Sequence, residues 1–111
     1  MQAATSFAYN RRVNQYLNNE INQASPAQLI LKVYDFAILN CQRKNMLKTN
    51  EAIQVLINAL NFDLEGAREI SVGLLRLYQY CQELTRKNKF EEAQNILTEL
   101  RDTWKMALNN R

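Results

Sequence analysis

Turn-forming residues are almost missing from this chain, and that shortage limits its possible folds more than any other feature. Its 111 residues hold one proline, Pro26, and two glycines, Gly66 and Gly73. Several hairpins or a small barrel need more of both, because tight turns call for positive φ or for the fixed φ of proline. Helices joined by short connections need few. Hydrophobic residues make up 47%, enough for a packed core and too many for a disordered chain. The length fits one domain.

The sharpest helix start is Ser25-Pro26-Ala27-Gln28. Ser25 suits the N-cap, Pro26 suits the first helical position, and Gln28 can reach back to complete a capping box. The first helix then runs to about Arg43 or Lys44. Between residues 29 and 41 only Lys32, Asp35 and Asn40 are polar. That helix is apolar around most of its circumference and needs cover on several sides. Arg43, Lys44, Asn45 and Lys48 mark a turn. A second helix is predicted from about Thr49 to Phe62, with Ile53, Leu56, Ile57 and Leu60 on one side.

Asp63-Leu64-Glu65-Gly66 breaks the pattern, and a third helix runs from near Ala67 to near Arg86. In it Ile70, Leu74, Leu77, Cys81 and Leu84 recur at intervals of 4, 3, 4 and 3, a heptad-like seam suited to shallow helix crossing. Val72, Leu75, Tyr78 and Tyr80 add apolar surface beside the seam. Asn88 reads as the next cap, with Glu91 three residues on. The fourth helix carries Phe90, Ala93, Leu97, Leu100, Trp104 and Ala107, and frays at Asn109 to Arg111. Residues 1–24 are rich in Asn and Gln but hold Phe7, Tyr9, Val13, Tyr16, Leu17 and Ile21. They read as a marginal short helix or an extended arm that must dock to be ordered. The fold class is therefore all-α: an antiparallel up-down-up-down four-helix bundle over residues 25–111, preceded by an N-terminal arm or short helix over 1–24.

The chain has no histidine, which removes the commonest general base and the commonest metal ligand. Cys41 and Cys81 sit far apart inside apolar helical patterns and read as buried free thiols, not as a zinc site. No glycine-rich phosphate loop is present. Glu91-Glu92 and Glu99 with Asp102 read as solvated helix faces. No enzyme activity, metal or cofactor is expected. The densest apolar stretch, Leu29 to Cys41, is too short and too polar to cross a bilayer. No signal-peptide pattern opens the chain, so a cytosolic protein is expected.

Net charge is +3, from fourteen basic and eleven acidic residues. Arg43, Lys44 and Lys48 in one turn and Arg86, Lys87 and Lys89 in another share one end of such a bundle. These cations offset the C-terminal dipoles of two helices. No aromatic residues are interleaved with them, as base stacking requires, so nucleic acid is the weaker reading of that pole.

More informative is the excess of apolar surface. In a bundle of short helices each helix keeps one side toward solvent. The first helix, the third helix and the arm together carry more apolar side chains than that allows. The arm, a second copy of the chain or a partner helix could cover them; a thicker core is the rival account.

The residues then become familiar. The chain resembles the flagellar secretion chaperone FliS family over nearly its whole length. The resemblance rests on Ala8-Tyr9-Asn10, Ser25-Pro26-Ala27-Gln28-Leu29-Ile30-Leu31, Tyr34-Asp35 with Ala37-Ile38, and Phe62-Asp63-Leu64-Glu65 with Glu69-Ile70. Leu74, then Leu77-Tyr78-Gln79-Tyr80, and Leu97 to Arg101 with Trp104 complete it. The resemblance implies a cytosolic export chaperone without enzymatic activity. It implies binding of the C-terminal region of flagellin, which folds into helical segments on the chaperone, and prevention of premature polymerisation. It also implies delivery to the export gate of the flagellar type III apparatus. By the same resemblance, Tyr9, Leu29, Val33, Tyr34, Leu64, Leu74, Leu77 and Tyr78 are the expected partner-binding residues, each with a rival reading as core. Trp104 reads as a packing anchor. The chain departs from the family in a shorter first hairpin and in Phe36, which stands where a small residue follows Tyr-Asp. A self-associating helical adaptor, including a weak homodimer, is the alternative function.

Overall fold

Two tight turns of one build organise the molecule. The computed structural model describes residues 26–61 and 67–109. Among these residues lie helices α1 (Pro26–Gln42), α2 (Met46–Asn58), α3 (Arg68–Arg86) and α4 (Phe90–Asn109), and no strand. Ser25, the expected first cap, and the arm at 1–24 fall outside the described residues.

Helix α1 stops because Lys44 takes a left-handed conformation, φ 54. The Lys44 N–H then donates to the Cys41 carbonyl at 3.0 Å, and the Asn45 N–H to the Asn40 carbonyl at 2.9 Å. This is the Schellman arrangement, which satisfies carbonyls that a helix end leaves open. Asn45 also starts α2, since its side chain accepts from the Lys48 N–H at 3.0 Å, an N-cap bond. The second helix therefore begins at Met46, a turn earlier than the expected Thr49. Asn45 is a cap and not the middle of a loop.

Helix α3 ends in the same way. Asn88 has φ 60; its N–H donates to the Thr85 carbonyl at 3.0 Å, and the Lys89 N–H to the Leu84 carbonyl at 2.8 Å. Asn88 thus closes α3 instead of capping α4, which corrects the sequence reading. Asparagine tolerates the left-handed region because its short polar side chain can bond locally. The seat it occupies demands that backbone conformation, and an N-cap does not.

The helices form a ring in which α1 packs on α2 and α4, and α3 packs on α2 and α4. Their sense follows from side-chain pairs. Thr85 Oγ1 donates to Asn50 Oδ1 at 2.8 Å, Gln82 Nε2 donates to Gln54 Oε1 at 3.4 Å, and Ser71 Oγ donates to the Asn61 carbonyl at 2.8 Å. Rising numbers before α3 meet falling numbers along it, so α2 and α3 run oppositely. Both short turns consequently lie at one pole, with Arg43, Lys44, Lys87 and Lys89 exposed there.

The core gathers Val33, Tyr34, Ala37, Ile38 and Cys41 of α1 with Ala52, Ile53 and Leu56 of α2. Tyr78, Cys81 and Leu84 of α3 and Ala93 and Leu97 of α4 complete it. Leu29, Phe36, Leu74, Leu100 and Trp104 pack against it while partly exposed. Burying a Leu, Ile or Val side chain contributes roughly 1.5–3 kcal/mol. No described helix is long and apolar enough to cross a membrane.

Candidate functional site

The expected binding residues separate into two sets. Val33, Tyr34 and Tyr78 lie in the core, at 2%, 0% and 2% exposure. Leu29, Leu74 and Leu77 stay half-buried. Leu29 and Leu74 lean on the same core as the first set, so five of the six cluster at the centre of the bundle. Leu77 looks elsewhere. Tyr9 and Leu64 lie outside the described residues.

At the centre, the Tyr34 and Tyr78 hydroxyls share a hydrogen bond across the bundle from α1 to α3. Their ring centroids are 6.3 Å apart and tilted by 56°. Trp104 of α4 packs against the same core. Burial drives both tyrosines above the ordinary phenol value. Burial also raises Cys41 and pushes Cys81 up to about 12, so both thiols stay protonated and poor nucleophiles at neutral pH. This node is a packing device that joins three helices. Among the described residues no cluster of His, Cys, Asp or Glu could hold a metal ion.

The accessible surface lies on α3. Its seam is deeply buried near the turn, where Cys81 is 0% and Leu84 3% exposed. It opens through half-buried Leu77 and Leu74 to Ile70, which is 66% exposed. The seam is therefore covered toward the C-terminus of α3 and open toward its N-terminus. Tyr80 is also exposed. One side of α3 is fixed toward α2 by Ser71, Gln82 and Thr85. One side of α4 is fixed toward α1 by Arg101, which meets Asp35 at 3.1 Å. By helical periodicity, the opposite sides of α3 and α4 face each other. Ile70, Leu77 and Tyr80 thus border the outer groove between these two helices, with Ile96 and Ala107 across it.

Gly73 sits in the same stretch, exposed and mid-helix, and a Cβ built on it meets nothing within 4 Å. Glycine inside a helix costs about 1 kcal/mol relative to alanine. Among the described residues nothing requires that cost. Sequence periodicity singled out Leu77 and Ile70 but passed over Gly73, because its signal is the empty space above it.

A helical ring with a sealed polar centre and an apolar flank left open is the build of a protein-binding scaffold. The family model described as "Flagellar protein FliS" matches residues 8–111, and the chain belongs to that family. It is also similar to the "Flagellar secretion chaperone FliS" of Bacillus subtilis (strain 168), at 28% identity over a match that covers 86% of this chain and 84% of that protein.

Proposed function

We propose that this protein is a cytosolic export chaperone that holds the C-terminal helical region of flagellin, prevents its early polymerisation and passes it to the flagellar type III export apparatus. Membership of the FliS family supports the class, and the Bacillus relative is named a flagellar secretion chaperone. The observation that carries the client reading is the unsealed apolar flank of α3. Leu74 and Leu77 are half-buried and Ile70 is mostly exposed, although they continue a seam that is sealed higher up. A client that folds as it binds needs such a flank, since buried apolar area must offset the entropy of ordering it. Leu29 borders the same end of the bundle.

The direct test is co-elution of the purified protein with a C-terminal flagellin fragment at equal stoichiometry. Leu74→Asp and Leu77→Asp are expected to weaken the complex at least tenfold while circular dichroism stays helical. Tyr78→Asp is unsuitable, because a carboxylate there would be buried without a partner and would unfold the bundle. Full affinity in both leucine variants would remove this surface from the reading. Absence of any complex with the unaltered protein would remove the client itself.

A further inference from the structure

Resting on that reading, we infer that a client helix crosses α3 in close backbone contact at Gly73, and that this helix carries basic residues along the edge that faces α4. Ile70, Gly73, Leu77 and Tyr80 follow one another at spacings of three and four along α3, the spacing of a helix-packing seam. Ile70 is 66% and Tyr80 52% exposed, with half-buried Leu77 between them. Large apolar side chains thus flank a position that has no side chain and open space above it. Small residues at a helix crossing let two backbones approach, with larger neighbours closing around the contact. Among the described residues no helix makes such an approach at Gly73, so the position is open to a helix from outside the described bundle.

Charge selects the occupant. Exposed Glu69 and Arg76 border the stripe on α3, followed by Glu83, which already pairs with Arg86 and Lys87. Exposed Glu92 and Glu99, seven residues apart, border the groove on α4. The α4 edge is therefore acidic, while the α3 edge mixes Glu69 and the paired Glu83 with Arg76, Arg86 and Lys87. A helix with lysine or arginine on the edge that faces α4 meets complementary charge at Glu92 and Glu99.

The test uses the full chain and the C-terminal fragment of the flagellin from the same organism, with affinity read by titration calorimetry. Gly73→Ala is expected to raise the melting temperature, and Gly73→Leu to keep the helical spectrum while lowering affinity at least tenfold. Glu92→Lys with Glu99→Lys is expected to weaken binding several-fold at low salt and less at high salt. Wild-type affinity in Gly73→Leu, with the unaltered chain binding normally, would overturn this contact and leave the chaperone reading standing. Failure of the unaltered chain to bind would overturn both. A homodimer that Gly73→Leu disrupts and the fragment does not would assign the face to a second copy and also overturn the inference.

Discussion

Tyr34 and Tyr78 bring two hydroxyls into the middle of the bundle and satisfy them against each other. Removing one partner leaves the other with an unmet hydrogen bond, which costs about 1–3 kcal/mol. Tyr78→Phe is therefore expected to lower stability by that order in urea unfolding. The double variant Tyr34→Phe with Tyr78→Phe should lose less than the sum of the singles; strictly additive losses would show that the hydroxyls are uncoupled. The same residues set the alkaline limit. Burial raises Tyr34 and Tyr78 above 10.0 and Cys41 and Cys81 above 9.0. The folded chain holds these protons more tightly than the unfolded chain. Their stabilising contribution is complete below the unfolded values and is lost as pH climbs toward the folded ones. Urea midpoints should accordingly fall above pH 9, first through the thiols and then through the phenols. A flat profile to pH 11, an arbitrary endpoint about one unit above the ordinary tyrosine value, would contradict the burial.

Helices and turns show where local sequence decides and where it does not. Helix α3 falls over Arg68–Arg86, close to the span that its heptad spacing predicts. The core faces of α2 and α4 hold the predicted Ile53, Leu56, Ala93 and Leu97. Spacing reads well because burial repeats with the helical period. The turns read poorly. Lys44 and Asn88 sit at left-handed C-terminal positions, and neither is the glycine that usually marks one. Lys44→Gly is expected to stabilise the protein by up to about 1 kcal/mol, because lysine bears the steric penalty of positive φ. Asn88→Gly should gain less, since asparagine tolerates the region. Asn45→Ala, which removes the α2 cap, should cost about 1 kcal/mol. Thermal melts rank the three, and a loss on Lys44→Gly would contradict the left-handed assignment.

For the molecule as a whole, the sequence pattern was enough to indicate a helical bundle with surplus apolar surface, and less able to say where that surplus emerges. Val33, Tyr34 and Tyr78 carry the same pattern as Leu74 and Leu77, yet the ring of helices seals the former and leaves the latter partly uncovered. That difference depends on which helices are neighbours, a property no single helix encodes. Gly73→Ala offers a global check, because it adds helix propensity in open space. A gain of 0.5–1 kcal/mol corresponds to roughly 2–8 °C in a domain of this size. Both short connections, Arg43–Asn45 and Lys87–Lys89, belong to one pole. The architecture is therefore like a clothes-peg in one respect: its spring, the two hydrogen-bonded turns, sits at one pole, and the N-termini of α1 and α3 lie at the other. Amide exchange should be slowest beside the spring, around Cys41 and Leu84, and fastest near Leu29 and Ile70. A client helix laid across α3 at Gly73 should slow exchange near Ile70 while barely altering the turns.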